Sequence, residues 1–303
     1  MKFLFANNYF FPYGGTERVF FDEIRILKQK GHDIIPFSRK HADNVLSPYS
    51  EYFSSPLEYY NAGLWDKFIS MFKLIYSFEN MHKLDSIIQL YSPDVFHVHT
   101  LYGRLTTSVI DSARHHNVPV VMTLHDYKLT CPTYLMLRNN EICNKCNGTR
   151  YFYCTLYRCH KKGFSPSIIY TIESYFNRFL NKYKWVNYFI CPSRFLLEVH
   201  DDAGIERNKL IHIPNFILID DFLPNFTPGG YILFIGRIAR EKGLLTLIKA
   251  VRGLEVELKV VGEGEMSEYY RNYVKDNNIT NVSFEGHKYG GQLELLYRDS
   301  SFV

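Results

Sequence analysis

The chain has 303 residues, of which 46% are hydrophobic and 22% are charged, a balance that is typical of a globular protein with a packed core. Its formal net charge of +4 is too small to argue for a nucleic-acid partner, and no apolar run reaches the roughly 18 residues of a membrane-spanning helix. Because Asn7 interrupts the apolar start, we expect neither a signal peptide nor a membrane anchor, and we expect a cytoplasmic protein.

The start of the chain has the pattern of one strand–helix–strand unit. The apolar run 2–6 predicts a strand, and the turn residues Gly14 and Gly15 follow it. Residues 17–30 carry apolar side chains at helical spacing and predict a helix, and the apolar run 33–38 predicts the next strand. This order is typical of a parallel sheet with crossover helices.

The same alternation of strands and helices continues to residue 213. The predicted strands are 95–99, 120–125, 188–191 and 210–213. The predicted helices are 66–90, 167–182 and 193–203. Strands that alternate with helices in this way predict a doubly wound α/β domain of the Rossmann type.

A cluster of prolines and glycines at 214–230 predicts a linker, and the strand–helix alternation restarts after it. We therefore expect an N-terminal domain over 1–213 and a second Rossmann-like domain over 231–303. In the second domain the predicted strands are 231–236, 257–262 and 282–286, and the predicted helices are 243–251, 266–277 and 291–298. The second domain is shorter than a usual domain of about 100 residues or more, so we expect it to be incomplete.

Two glycine-containing loops are candidate ligand sites, because each follows a predicted strand and precedes a predicted helix. Gly14 and Gly15 let the backbone approach an anion at a helix N-terminus, although a tight turn alone also explains the pair. Gly236 is followed by Arg237 and Lys242 at the carboxyl end of a strand, where open α/β sheets bind ligands. The two cations suit a diphosphate leaving group, and the alternative is a solvated basic turn.

Histidines lie at the ends of two predicted strands. His97 and His99 belong to the first of them, and His125 ends the next. A single histidine at a strand end is more often a hydrogen-bonded structural residue than a ligand-binding one. The pattern alone therefore leaves both interpretations open for these side chains.

Taken in chain order, these motifs resemble those of the family-four glycosyltransferases of the GT-B type, and the resemblance covers essentially the whole chain. The matching segments are 12–15, 94–99, 123–126, 191–193, 213–215, 236–243 and 261–264. The resemblance implies two Rossmann-like domains that close over a UDP- or GDP-sugar donor. It also implies transfer of the sugar to a hydroxyl acceptor with retention of configuration, and no catalytic metal.

The resemblance also implies roles for individual residues. It puts Gly15 near the donor diphosphate and the acceptor, and His125 against the transferred sugar. The expected catalytic residues are His125, Arg237 and Lys242, and the expected donor-binding residues are Gly14, Gly15, Gly236, Arg237, Lys242 and Glu263. Of the donor-binding residues, Glu263 belongs to the segment that matches the loop near the nucleotide base.

The chain departs from the family in one respect. The family carries two glutamates separated by seven residues after a strand that would begin here near Phe302, and this sequence ends before them. We therefore expect a C-terminally truncated enzyme, and the alternative is an inactive remnant or partner subunit that binds a glycan or a complementary chain. An unfinished sheet edge also predicts poor stability or dimerisation of this chain in isolation.

The acceptor implied by the resemblance is a glycan or a lipid-linked sugar, as in the synthesis of surface polysaccharide. Basic and aromatic residues over 151–162 predict contact with an anionic membrane face, with charge supplied by Lys161 and Lys162. A dinucleotide-dependent oxidoreductase would instead require a G-x-G-x-x-G fingerprint after the first strand, and the sequence lacks it.

The insert 131–160 holds five of the six cysteines, including a C-x-x-C pair, and has few aliphatic residues to form a core of its own. Four thiolates could bind a structural zinc ion that folds this insert. The expected zinc ligands are Cys131, Cys143, Cys146 and Cys159, with Cys154 as a substitute for the last. The spacing matches no standard zinc finger, so an iron–sulfur cluster, a disulfide and unligated thiols stay as alternatives.

Overall fold

The computed structural model describes residues 1–56, 72–139, 141–160, 163–219, 225–227 and 229–303. The chain divides into two compact units, Met1–Ile217 and Leu218–Val303. The start of the predicted helix 66–90, parts of the predicted linker 214–230, and Lys161 and Lys162 of the predicted membrane contact lie outside the described residues. Within the described part, no helix is both long enough and apolar enough to cross a membrane.

The first unit alternates strands with helices. Its strands are β1 (Lys2–Ala6), β2 (Asp33–Phe37), β3 (Val95–Val98), β4 (Val120–Thr123), β5 (Leu137–Arg138), β6 (Glu141–Ile142), β7 (Val186–Cys191) and β8 (Leu210–His212). Its helices are α1 (Gly15–Gln29), α2 (Phe78–Tyr91), α3 (Ser108–His115), α4 (Phe152–Leu156), α5 (Phe164–Phe179) and α6 (Arg194–Asp202). Ser77 and Ser193 cap the N-termini of α2 and α6, because their side-chain oxygens accept backbone N–H groups of these helices.

Six strands of this unit form one parallel sheet in the order β2-β1-β3-β4-β7-β8. One sheet face carries Leu4, Phe96 and Val98, which pack in a large apolar core with residues of α2, α3 and α6. The opposite face carries Phe5, which packs against Phe20 of α1. Because successive side chains of a strand alternate between faces, His97 of β3 faces the same α1 side as Phe5 of β1.

The second unit repeats this architecture on a smaller scale. Its strands are β9 (Tyr231–Ile235), β10 (Glu257–Val261) and β11 (Val282–Gly286), and its helices are α7 (Leu244–Val251), α8 (Ser267–Asp276) and α9 (Gly290–Arg298). The strands are parallel in the order β11-β10-β9. Phe302 forms a parallel bridge with Ile232, and its carbonyl accepts the N–H of Leu233 at 2.8 Å, beside β9.

The prediction of two α/β units with parallel sheets is confirmed. The sequence pattern missed four elements of the first unit, namely α3, α4, β5 and β6. Residues 108–113 of α3 are all buried, and Ser108, Asp111 and Ser112 are among them, so polarity along this eight-residue helix does not follow exposure. The other three elements lie in the cysteine-rich insert and are too short to show a period.

Candidate functional site

In the first unit, the strand order reverses between β1 and β3, and the polar residues that follow these strands meet there. Asn7 comes directly after β1, and its side-chain oxygen accepts the backbone N–H of Thr100 at 3.3 Å and also the Thr100 hydroxyl. The Asn7 amide donates to the Glu17 carboxylate of α1 at 3.2 Å. Ligands of open α/β sheets bind at this kind of switch point, so the sheet itself prepares a site here.

Gly14 and Gly15 form the exposed N-terminal end of α1 at the same edge. Gly14 has an extended backbone with φ of −164°, and a Cβ on Gly15 would meet no atom within 4 Å. The protein's own packing therefore does not require glycine at position 15. The open space outside it is available to a ligand that approaches the backbone closely.

Three histidines and one glutamate form a stacked polar cluster behind this edge. His99 Nδ1 lies 3.0 Å from His125 Nε2, and His97 Nε2 lies 2.8 Å from the Thr123 hydroxyl. The rings of His97 and His99 are 4.7 Å apart, and those of His99 and His125 are 5.2 Å apart. Glu23 approaches from α1, with its carboxylate 3.5 Å from His97 and 3.3 Å from His99.

Burial sets the charge of this cluster. It lowers the pKa of His97, His99 and His125 to about 3, so the three imidazoles are neutral near pH 7. Burial also raises the pKa of Glu23, and the neighbouring His97 works in the opposite direction. The cluster therefore offers neutral hydrogen-bonding groups rather than positive charge.

Asp126 follows His125 and is held in place by two hydrogen bonds. Its Oδ1 accepts the Tyr102 hydroxyl at 2.8 Å and the backbone N–H of Lys128 at 2.9 Å. Burial raises the pKa of Asp126, while both of these hydrogen bonds act against that rise. The segment that carries His125 is thus anchored to the loop after β3.

In the second unit, two loops at the carboxyl ends of β9 and β10 pack backbone against backbone. Ile238 donates its N–H to the Glu263 carbonyl at 3.1 Å. A Cβ on Gly262 would lie 2.0 Å from the Gly236 carbonyl oxygen, and one on Gly264 would lie 2.3 Å from that of Ile238. Glycine at 262 and 264 is therefore required by this close approach.

The loop after β9 carries three exposed cationic side chains, Arg237, Arg240 and Lys242. Arg237 pairs with Glu241 at 2.5 Å, and its side chain is 58% exposed, so water screens the pair. Lys242 forms no ion pair with any residue that the structure describes. Gly243, with φ of +71°, is the N-cap of α7, so this helix N-terminus follows the cations directly.

Glu263 lies in the neighbouring loop and binds Arg271 of α8 at 2.8 Å. A hydrogen bond from Ser267, together with Arg271, holds the pKa of Glu263 below its ordinary value. This carboxylate is ionised near neutral pH and partly exposed, so it is suited to accept hydrogen bonds from hydroxyl groups of a ligand.

The cysteine-rich insert does not have the geometry of the expected zinc site. Five cysteines line one cavity of about 200 Å³, namely Cys131, Cys143, Cys146, Cys154 and Cys159. Within the described residues, no three of them bring their sulfurs within 4.8 Å of one another. Cys131 instead contacts the Thr133 hydroxyl, and Cys154 contacts the Ser167 carbonyl and the Cys159 thiol. The structure thus does not support zinc here.

Sequence reasoning missed Glu23 and Asn7, and it quoted Asp126 only as part of a motif. Glu23 lies far along the chain from His97 and His99 and contacts them because α1 covers β3. Asn7 contacts Thr100 because β1 and β3 are neighbours in the sheet. Glu23 looks like an ordinary polar position of an amphipathic helix, so no sequence signal marked it.

Two parallel α/β units, each with polar or charged loops at the carboxyl ends of its strands, define the GT-B class of glycosyltransferases. The model of Glycosyltransferase Family 4 matches residues 13–221, and that of Glycosyl transferases group 1 matches residues 219–303. The chain belongs to Glycosyltransferase Family 4.

Solved structures of low sequence identity share this fold. A sucrose-phosphate synthase from Thermosynechococcus elongatus matches with a TM-score of 0.63 at 14% identity, over 99% of this chain and 73% of its own. The lipopolysaccharide outer core galactosyltransferase WaaB matches with a TM-score of 0.57 at 14% identity, over 100% of this chain and 72% of its own. Anabaena HepE, solved with UDP and glucose, matches with a TM-score of 0.55 at 13% identity, over 95% of this chain and 70% of its own. The predicted GT-B fold is confirmed.

One curated relative matches part of the chain. It is an uncharacterized glycosyltransferase of Methanocaldococcus jannaschii, 27% identical over 128 residues. The match spans 42% of this chain and 36% of the relative.

Proposed function

We propose that the protein transfers a sugar from a nucleoside-diphosphate donor to a hydroxyl group of an acceptor. The observation that carries this proposal is the loop after β9, where Arg237, Arg240 and Lys242 are exposed beside the N-terminus of α7. Negative charge grows on a diphosphate as its bond to the sugar breaks. Guanidinium and ammonium groups at that position stabilise the leaving group.

The charges of the two units support a diphosphate at the second unit. The N-terminal turn of α1 already holds the Glu17 carboxylate, which accepts from Asn7. A second anion at that helix end is repelled by Glu17. The loop with Arg237 and Lys242 has more cations than anions, because only Glu241 opposes them.

We assign the transferred sugar and the acceptor to the polar edge of the first unit. His125 is neutral and hydrogen-bonded to His99, which suits it to bind a sugar hydroxyl rather than a phosphate. Gly14 and Gly15 leave room for the acceptor to approach the backbone. Glu263, which is ionised and partly exposed, is assigned to hydroxyl groups of the nucleotide.

UDP and GDP are the donor nucleotides we propose, and HepE, which shares the fold, was solved with UDP-glucose. The transfer retains the anomeric configuration and uses no metal on the donor phosphates, as the family resemblance implies. The acceptor is a glycan or a lipid-linked sugar of a surface polysaccharide, reached from the cytoplasm. In support of contact with a membrane face, Phe152 and Leu156 of α4 are exposed beside Arg158.

Calorimetric titration of UDP and GDP into the protein tests the donor site. Arg237→Ala is expected to weaken binding about 10- to 150-fold, because a charge-assisted hydrogen bond contributes about 1.5–3 kcal/mol. The matched control is Arg298→Ala, which removes another exposed arginine of the same unit that pairs with an acidic neighbour. Equal affinity of Arg237→Ala and the unmodified protein would contradict the proposal.

A protein that binds donor without transferring sugar is the second candidate, and the same preparation separates the two. Release of UDP or GDP from the sugar nucleotide, with sugar appearing on an added glycan acceptor, supports the transferase. Donor binding of normal affinity without any release over many hours supports a binding protein.

A further inference from the structure

The cluster behind His125 contains three metal-ligand atoms that point towards one position. Glu23, His97 and His99 each offer one ligand atom, and these three atoms all lie within 4.8 Å of one another. Glu23 Oε2 is 3.5 Å from His97 Nδ1 and 3.3 Å from His99 Nε2. His99 is completely buried, and its Nε2 has no hydrogen bond in the described structure.

The opposite nitrogens of both rings are already engaged. His97 Nε2 lies 2.8 Å from the Thr123 hydroxyl, and His99 Nδ1 lies 3.0 Å from His125 Nε2. A neutral imidazole that donates through one nitrogen presents a lone pair at the other. If both rings donate outwards, two lone pairs and a carboxylate face each other and require a positive charge between them.

The two distances from Glu23 Oε2 to the histidine nitrogens agree with a tetrahedral metal site. Zinc binds histidine nitrogen at about 2.0–2.1 Å and carboxylate oxygen at about 2.0–2.2 Å, so ligand atoms of one tetrahedron lie about 3.3–3.5 Å apart. Hydrogen bonds from the outer ring nitrogens to Thr123 and His125 are the kind of support that metal-bound histidines have in proteins.

We propose that Glu23, His97 and His99 bind a divalent metal ion that prefers nitrogen and oxygen ligands, with zinc as the representative. A cavity of about 350 Å³ lined by Glu23 and His97, and by Ile213 and Pro214, gives the ion a route to the site. The same cavity supplies space for a water molecule as the fourth ligand.

The ion would fix the protonation of the neighbouring His125. Metal on His99 Nε2 leaves the proton on His99 Nδ1, which then donates to His125 Nε2. His125 would keep its own proton on Nδ1. The site is thus a positioning site that lies behind the proposed sugar-binding histidine, and metal binding itself does not depend on sugar transfer.

Zinc content and zinc affinity test the site directly, with no need for activity. The protein is purified, stripped with chelator, and titrated with zinc alone. Glu23→Gln and His97→Gln are each expected to weaken zinc binding at least 100-fold, since even losing a group that only supports a ligand costs about 10- to 100-fold. The matched control is His116→Gln, because His116 and Asp85 form a similar pair at 3.2 Å without a third ligand.

X-ray absorption of the zinc-loaded protein separates this site from the cysteines. Nitrogen and oxygen neighbours at about 2.0–2.1 Å support the proposal, whereas sulfur neighbours at about 2.3 Å would assign the metal to the insert and overturn it. A protein that binds no zinc, or whose affinity is unchanged in Glu23→Gln and His97→Gln, would show that a shared proton alone holds the cluster. The absorption spectrum of the unmodified protein decides the matter even if a variant does not fold.

Discussion

Each unit has its candidate site at the carboxyl ends of its parallel strands, and the two sites differ in charge. In the first unit the polar groups are buried and neutral, and they bind one another through His97, His99 and His125. In the second unit Arg237 and Lys242 are exposed, and Arg237 pairs with Glu241 in contact with water, so both cationic side chains are accessible to a ligand. One fold therefore prepares one edge for neutral hydroxyl groups and the other for an anion.

Burial explains the difference. A charged group that leaves water must be paired or lose its charge, so a cluster covered by α1 becomes neutral. The cationic side chains of the loop after β9 are exposed to water, so their charges cost little to keep. Conditions that add or remove charge should therefore affect the first unit far more strongly than the second.

Acid should give the largest effect, and it acts on the first unit. Burial lowers the folded-state pKa of His97, His99, His125 and also His200 below the value of about 6.5 for an unfolded chain. The unfolded chain then binds more protons below pH 6.5, so stability is complete above that pH and falls as the pH decreases towards 3. The expected slope is about 1.4 kcal/mol per pH unit for each histidine.

Urea unfolding between pH 7 and pH 5, with chelator present, checks this expectation. Trp185 belongs to the first unit and the sequence 218–303 contains no tryptophan, so tryptophan fluorescence reports unfolding of the first unit. Glu23 and Asp126, whose pKa values are raised, act in the opposite direction and reduce the slope. Stability that does not change from pH 7 to pH 5 would contradict a buried neutral cluster.

Removal of one buried charge should give the next largest effect. Lys128 and Glu173 form an ion pair with side chains only 2% and 7% exposed. Lys128→Met leaves the Glu173 carboxylate buried without its partner, which costs about 3–5 kcal/mol of stability. The same tryptophan-monitored urea unfolding measures this loss.

Two further variants isolate the cause. Arg207→Met removes an exposed ion pair of the same unit, 3.1 Å from Asp201, and should change stability by about 1 kcal/mol or less. The double variant Lys128→Met with Glu173→Gln should recover much of the loss, because Gln leaves no unpaired charge. A loss that persists in the double variant would mean that packing, and not charge, explains the effect.

The repeating strand–helix pattern was sufficient to predict the fold. The apolar runs of β1, β2 and β9 to β11 lie within one residue of their observed positions, because buried parallel strands are short, continuous and bounded by glycine or polar residues. Residues 137–142 could not be predicted in this way, since two-residue strands of an insert carry no period.

Most features of the candidate site that the sequence did not predict depend on contacts between residues far apart in the chain. Gly262 and Gly264 were predicted for a nucleotide loop, and the structure adds a packing reason that only the paired loops reveal. Glu23 joins His97 and His99 because α1 covers that face of β3. The cysteine spacing suggested zinc, yet a short cysteine also packs as a small apolar residue, as Cys146 and Cys154 do beside Tyr151.

Hydrogen exchange of the whole protein with and without UDP compares the two edges most directly. Binding of the diphosphate to the loop after β9 should slow amide exchange over 236–243, with a smaller change or none at 14–18. The unliganded Arg237→Ala variant serves as the reference for exchange in that loop without donor contact. Protection at 14–18 without protection at 236–243 would contradict the assignment of the diphosphate to the second unit.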